Sequence, residues 1–420
     1  MISNNIIAFD LGSSRISAMA AEVQADDTLK ILAEESKPSE DIRYGIVEQV
    51  SGAAFKINEL NKLLQNSAKI PEIKKISLSV GGKSMTQVPV SVSRVVENSN
   101  TISESLLADM MDESQRKSQK QDTTIFDSIP VSYIVDGERM DEPVGQAGMQ
   151  ITANYQVVMA NSSVKDGIDR CLDRTGIIDE RVWIAVEAIS AAVLEEEDRE
   201  EGCALINFGA NTTTLAIYEE GVLQKLLVIP LGGKNITRDI QELGISEEHA
   251  EKLKCIKGSA LEALVENPVN IQIPSIEDPN SQIKISTKFL AMIIEARTEE
   301  ILEPIFSTME SYPADLKAGI IITGGASKLN NLVEFIDQRT GQPTRYGDHS
   351  AWLAEGTDEK YLDPVYSQII GTIVLTHDWR KENPEVEVLT VKEPKIKKPG
   401  IKTRIATGFI DFFGDDNKMN

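Results

Sequence analysis

Apolar positions alternate with polar ones, or run together between turns, over residues 6–9, 16–22 and 29–36, which predicts a strand meander at the start of the chain. Helical spacing follows over 55–65, and an apolar run at 76–80 predicts a strand that stops at Gly81-Gly82. From 85 to 160 the pattern changes: Val88, Val90 and Val92 alternate, a polar helix is expected near 103–117, and strands at 131–135 and 151–159. Helices are expected over 161–175 and 184–197, and through most of 236–310 apart from a strand pair around 269–273 and 282–285. Residues 387–399 mix Val, Lys and Pro and are too charged and broken to join a core. Beyond them, helical spacing puts Ile401, Ile405, Phe409, Phe412 and Phe413 on one broad face, with Thr403, Arg404, Thr407 and Asp411 opposite.

At 420 residues, 41% of them apolar, the chain can bury enough core for two domains or one bilobed body. A net charge of −23 excludes general binding to nucleic acid, whose phosphates would repel most of the surface. Lys392, Lys395, Lys397, Lys398, Lys402 and Arg404 gather against that acidic trend, just ahead of the apolar face at the end of the chain. Cys171, Cys203 and Cys255 have neither metal-ligand nor disulfide spacing and read as small core residues in a reducing compartment. No basic-then-apolar leader opens the sequence and no run is long enough to span a bilayer, so a cytosolic or peripherally attached protein is expected.

Two stretches repeat one design. Ala8-Phe9-Asp10-Leu11-Gly12-Ser13-Ser14-Arg15-Ile16 and Ile206-Asn207-Phe208-Gly209-Ala210-Asn211-Thr212-Thr213-Thr214 each run from an apolar strand through an acid or amide into a glycine turn with small polar residues. Paired hairpins of this kind facing a shared cleft suit a polyphosphate, because hydroxyls and free backbone N–H groups offer donors to its oxygens. A third glycine turn, Thr323-Gly324-Gly325-Ala326-Ser327, ends the apolar run at 320–322 and allows close backbone approach to a nucleoside.

In this order the turns resemble the first phosphate, second phosphate and adenosine motifs of the superfamily that includes actin, the heat-shock chaperone ATPases and the sugar kinases. The stretch Tyr133-Ile134-Val135-Asp136-Gly137-Glu138-Arg139-Met140-Asp141-Glu142-Pro143-Val144-Gly145-Gln146-Ala147-Gly148 is similar to the signature of a subdomain peculiar to the FtsA family of bacterial cell-division proteins, and the amphipathic end behind a basic linker fits that family too. The resemblance implies an α/β, actin-like bilobed ATPase fold with an inserted FtsA-type subdomain and a C-terminal amphipathic helix. The implied division is a first-lobe core at 1–84, continued at 161–200 and 351–386, with the insertion at 85–160. A second-lobe core at 201–235 continues at 310–350 around a smaller subdomain at 236–309, then a linker at 387–399 and a membrane-targeting tail at 400–420.

The resemblance also implies ATP and Mg²⁺ as ligands. Asp10 matches the acid that holds Mg²⁺ through water, with Gly12, Ser13 and Ser14 around the phosphates. In the second motif Asn207, Gly209, Thr212 and Thr213 match, but the family's acid is here the neutral Asn207, and Ala210 and Asn211 stand where it has glycines. An amide carries no charge to steady a metal-bound water, so slow or absent hydrolysis is expected. Glu187 is the one candidate for orienting water, against an ordinary helix start. Gly232 and Gly233 resemble the entry into the smaller subdomain, and Gly324, Gly325 and Ser327 the adenosine turn. Glu251 and Lys254 resemble the adenosine-contacting helix, although residues three apart also make ordinary surface ion pairs. Arg297 falls in the subdomain that receives the acidic C-terminal tail of the division GTPase FtsZ; the alternative is a pair with Glu300 on its own helix.

For the tail, Lys and Arg contribute about 1 kcal/mol each near an anionic surface, and Gly408 subtracts about 1 kcal/mol from helix formation. The expected result is an interfacial helix, with Ile401, Ile405, Phe409, Phe412 and Phe413 entering an anionic membrane surface reversibly and side-by-side assembly raising avidity. The resemblance thus implies a protein that binds ATP, polymerises and tethers FtsZ filaments, among other division proteins, to the cytoplasmic face of the inner membrane at the division site. The rival readings are an actin-like type IV pilus assembly protein and a small-molecule kinase or ATPase of the same superfamily.

Overall fold

The computed structural model describes residues 4–96, 101–278 and 280–383; the expected linker and tail lie outside the described residues. Two five-stranded sheets carry the architecture, and they repeat one topology. In the first lobe Asn5–Leu11, Arg15–Val23 and Leu29–Pro38 form an antiparallel meander, and Lys75–Val80 then Ile178–Ile184 add parallel strands on the far side of Asn5–Leu11. In the second lobe Cys203–Phe208, Thr213–Glu219 and Val222–Ile229 form the meander, and Ile320–Thr323 then Thr344–Tyr346 add the parallel pair. The near-continuous apolar runs at 6–9, 204–206 and 320–322 are explained by this placement: they are central strands covered on both faces.

Two cores are built on these sheets: one around Phe9, Ile16 and Met19, which also takes in Leu205, Ala216 and Ile321 from the second sheet, and one around Phe208, Ile217 and Phe335. Helix Ser367–Glu382 returns from the second lobe to pack on helix Ala185–Val193 and on strand Asn5–Leu11 of the first. Serine caps start several helices. Ser103 accepts from Leu106 N–H ahead of helix Glu104–Ser118, and Ser246 accepts from His249 N–H ahead of helix Glu247–Lys257.

The stretch between the first-lobe halves forms a separate four-stranded antiparallel sheet, in the order Thr86–Val95, Gln150–Asn161, Thr123–Val135, Glu138–Met140, with helix Glu104–Ser118 against it. Its strands are longer than the alternation at 131–135 and 151–159 predicted. Pro130, which has no N–H to donate, sits where the pairing of Thr123–Val135 shifts register, so the strand continues past a break in its pattern. The end of strand Gln150–Asn161 serves two cores through its two faces: Tyr155, Val157 and Met159 belong to that of the insertion, while Val158 and Ala160 are buried in that of the first lobe. The segment 161–175 begins as the end of that strand, and the helix is Ser163–Thr175.

Candidate functional site

The two hairpin turns superimpose in register. Across the first hairpin Asp10 lies opposite Ser17 and Leu11 opposite Ile16; across the second Asn207 lies opposite Thr214 and Phe208 opposite Thr213. On the parallel side Asp10 lies beside Ser79 and Asn207 beside Thr323. The glycines are equivalent as well: a Cβ on Gly12 would meet the Arg15 carbonyl oxygen at 2.7 Å, and one on Gly209 the Thr212 carbonyl oxygen at 2.9 Å. Neither Ala210 nor Asn211 takes a positive φ, so the second turn accepts side chains where the family motif has glycine.

Between the turns lies a cleft of roughly 730 Å³, a size that suits a nucleotide-sized ligand. Asp10, Gly12, Ser13, Ser14, Asn207, Gly209 and Thr212 line it, as do Gly233, Glu251, Lys254, Gly324 and Gly325. Gly324, at φ +93°, brings its backbone against the second turn; a Cβ there would meet Asn207 Oδ1 at 2.4 Å. Lys254 Nζ donates to the Gly233 carbonyl at 3.0 Å, to Thr237 Oγ1 at 2.9 Å and to Glu251 Oε2 at 2.8 Å. Burial works against the Glu251 charge, but Lys254 and the hydroxyl of Thr237 hold its carboxyl below the usual range. The pair is therefore an ion pair and part of the cleft wall at once.

Asp10 is the titratable group at the centre. Burial lifts its carboxyl to about 6, opposed by the Arg15 guanidinium. Gln368 donates one amide hydrogen to Asp10 Oδ1 at 3.0 Å, and its Nε2 also lies 3.1 Å from Ser79 Oγ. A carboxylate whose charge is opposed by burial fits a site completed by a cation, since a divalent ion would offset the cost of its desolvation. The donor set is also right for Mg²⁺, which takes one or two carboxylates and keeps several waters.

Behind the second lobe's equivalent position runs a chain of hydroxyls. His349 must donate from Nε2 to the Tyr361 carbonyl at 2.7 Å, so its Nδ1 accepts from Ser367 Oγ at 3.1 Å, and Ser367 in turn meets Thr323 Oγ1 at 2.9 Å. That chain fixes the return connection between the lobes to the floor of the cleft.

Models of two families match the chain: the cell division protein FtsA over residues 204–371, and the SHS2 domain inserted in FtsA over residues 82–159. The chain belongs to the FtsA family. It is 26% identical over 373 residues to the cell division protein FtsA of Pseudomonas aeruginosa, covering 88% of each chain. It is 28% identical over 393 residues to the FtsA of Borreliella burgdorferi, covering 91% of this chain and 93% of that one. Among solved structures it is similar to the PilM-PilN type IV pilus biogenesis complex, with a TM-score of 0.65 at 15% identity over 88% of this chain and 98% of that chain. It is also similar to MreB5 of Spiroplasma citri bound to ADP, with a TM-score of 0.57 at 13% identity over 91% and 99%. The fold is thus the mixed α/β actin-like one of the FtsA family, carrying its SHS2 insertion.

Several residues expected at the site are placed elsewhere by this FtsA-family structure. Thr213 is fully buried and donates to the Leu231 carbonyl at 2.9 Å; it begins its strand, so the cleft face falls to Thr212 and Thr214 on either side. Ser327 is buried with Oγ donating to the Gly324 carbonyl at 2.7 Å, closing its own turn instead of lining the cleft. Gly232 donates its N–H to Asn235 Oδ1, and a Cβ there would meet the Gly209 carbonyl oxygen at 2.5 Å; it packs helix Gly233–Gln241 onto the second turn.

Glu187 does not reach the cleft. In helix Ala185–Val193 the cleft side is Ala185 and Ile189, four apart, and Glu187 between them points the other way, toward Asp127 and Arg181. Burial and the Asp127 carboxylate push its pKa up, with Arg181 opposing. It has no water-orienting geometry.

Arg297 is occupied. Its Nε and Nη2 grip Asp239 at 2.5 and 2.9 Å, and Nη1 meets Glu300 at 2.6 Å, so two carboxylates of the same chain already hold the guanidinium. The pair with Glu300 was the alternative visible in the spacing; the bidentate one, from helix Gly233–Gln241, was not. This argues against Arg297 as a receptor for an acidic peptide.

Sequence reasoning missed Arg15, Ser79, Thr214, Lys234, Thr323, Ser367 and Gln368, all of which line the cleft. Ser79 and Thr323 were findable, as the matching residues beside the two apolar strands; Gln368, 358 positions from Asp10, carried no local signal. No described helix is long and apolar enough to cross a membrane.

Proposed function

We propose that this FtsA-family chain binds ATP with Mg²⁺ between its lobes, hydrolyses it slowly or not at all, self-associates into filaments, and tethers FtsZ filaments to the cytoplasmic face of the inner membrane at the division site. The observation that carries the nucleotide part is the pair of turns in matched register around one cleft, with Asp10 poised for a cation. Asp10 would hold the metal through water; Ser13, Ser14, Asn211 and Thr212 would take the phosphates; Gly324, Gly325, Glu251 and Lys254 would take the nucleoside. Bound Mg²⁺ would supply charge neutralisation of the phosphates. Solved neighbours with ADP and with AMPPNP, both MreB5 of Spiroplasma citri, support a nucleotide in such a cleft.

Asn207, uncharged beside the Asp10 turn, supports slow turnover, and so does the absence of any acid on the cleft side of helix Ala185–Val193. Membrane attachment rests on residues 400–420, with Ile401, Ile405, Phe409, Phe412 and Phe413 as the apolar face and Lys402 and Arg404 as cations, joined by Lys397 and Lys398 of the linker just ahead. Co-sedimentation with anionic vesicles and FtsZ, with and without ATP, tests the whole reading. FtsZ should pellet with vesicles only when the full chain is present. FtsZ remaining in the supernatant in every condition would overturn the tether.

A further inference from the structure

The second lobe sends one charged side chain across the cleft. Lys234 donates its backbone N–H to the Ala210 carbonyl in the second turn at 2.9 Å, while its ammonium lies 3.2 Å from the Ser13 carbonyl in the first turn. One residue therefore straddles both phosphate turns, with its backbone on one and its charge on the other.

Its charge is badly placed for the protein alone. Lys234 is the second residue of helix Gly233–Gln241, at the positive end of the helix dipole, where a cation is disfavoured. Among the described residues it has no ion-pair partner; a neutral carbonyl is its recorded contact. The first amides of the helix are already taken, since Gly233 N–H and Lys234 N–H donate to the Gly209 and Ala210 carbonyls, so the helix end itself offers little to a ligand. The remaining compensation must come from the cleft that Lys234 lines.

The acids there do not provide it. Glu251 is committed to Lys254, Asp10 accepts from Gln368 and makes no ion pair with Lys234, nor does Glu247 on the cleft wall, and the position equivalent to Asp10 is the amide Asn207. Arg15, stacked at 5.2 Å over the Tyr366 ring, adds further positive charge to the first turn. We propose that Lys234 is a polyphosphate ligand contributed by the second lobe, supplying at the junction of the two turns part of the positive charge that a divalent cation would otherwise bring. This rests on the nucleotide reading above. It follows that the chain retains substantial ATP affinity without Mg²⁺, and that Lys234 matters most when the metal is absent.

The test is ATP binding by calorimetry to the full chain, in Mg²⁺ and in EDTA, for wild type, Lys234→Gln and Lys234→Arg. Wild type should lose less than about tenfold in affinity on going from Mg²⁺ to EDTA. Lys234→Gln should lose about tenfold or more in EDTA and clearly less in Mg²⁺, Lys234→Arg should stay near wild type, and all three should share one thermal midpoint within a few degrees. Equal affinities of Lys234→Gln and wild type in EDTA would overturn the proposal while leaving nucleotide binding standing, as would an equal loss in both buffers. No binding of ATP by wild type at millimolar concentration in Mg²⁺ would remove the nucleotide reading and this proposal with it.

Discussion

Asp10 and Asn207 occupy the same place in the two halves of the molecule, one opposite Ser17 and beside Ser79, the other opposite Thr214 and beside Thr323. The two turns are structural copies, and the difference between them is chemical: a carboxylate in one, an amide of the same shape in the other. Restoring the acid is therefore a small structural change with a large electrostatic one. Asn207→Asp should raise Mg²⁺ affinity of the ATP complex by roughly tenfold or more, about 1.4 kcal/mol, and raise turnover if water can be oriented. Metal titration followed by calorimetry measures it; an unchanged metal affinity would mean that the second turn does not face the cation.

Asp10 makes a pH prediction with a defined sign. Its folded value, about 6, lies above the ordinary 3.8. Between those values the folded chain holds a proton that the unfolded chain has released, so stability falls as pH rises through that window and the cost persists above it. Asp10→Asn keeps an Oδ1 acceptor for Gln368 and removes the charge. It should stabilise the nucleotide-free protein by about 1–3 kcal/mol at pH 7.5, toward the lower end because the group faces a wet cleft, with the gain vanishing toward pH 4. The same variant should lose metal-dependent ATP binding, and wild type should lose it progressively below about pH 6. Thermal midpoints and metal titrations at several pH values decide this; a gain equal at pH 4 and 7.5 would contradict it.

Arg297 now has a structural prediction in place of a recognition one. Its bidentate grip on Asp239 ties helix Thr287–Glu310 to helix Gly233–Gln241 with both side chains about a quarter exposed. Arg297→Ala should destabilise by about 1–2 kcal/mol, and Asp239→Asn by less, since the amide still accepts one hydrogen bond. A double-mutant cycle by chemical unfolding should give a coupling near 1 kcal/mol. A coupling near zero would leave the guanidinium free for other use.

These cases mark where the sequence was legible. The hairpins were, because strand alternation and glycine turns are local, and three motifs in order carried the fold. The choice between Thr212, Thr213 and Thr214 was not, because facing depends on where the strand starts, and a shift of one residue turns the set over. Arg297 showed its local partner Glu300 and hid Asp239, 58 positions away. Glu187 was seen as an acid near the right helix, but its direction depends on helix phase, and its neighbour Asp127 comes from the insertion. For the same reason the insertion at 85–160 cannot simply be deleted to probe the proposed self-association: Val158 and Ala160 are part of the first-lobe core, so the body would be injured as well. Substitutions at exposed Val95 or Met149 of the insertion are the cleaner probes of filament contacts.

The tail prediction depends on sequence chemistry alone. Phe409→Glu or Phe412→Glu should abolish binding of the full chain to vesicles, because a carboxylate in the apolar face cannot enter the acyl boundary without losing its hydration. Replacing Lys397 and Lys398 by Gln should weaken binding less, and only on anionic vesicles at low salt, since that contribution is Coulombic and screened. Thermal stability of the body should be unchanged in both, because a charged, Pro-bearing linker separates these residues from helix Ser367–Glu382. Vesicle flotation and thermal unfolding, run on the same samples, separate the outcomes. If Phe409→Glu lowers the thermal midpoint while vesicle binding persists, the apolar face packs on the protein itself, and attachment to the membrane must be sought elsewhere.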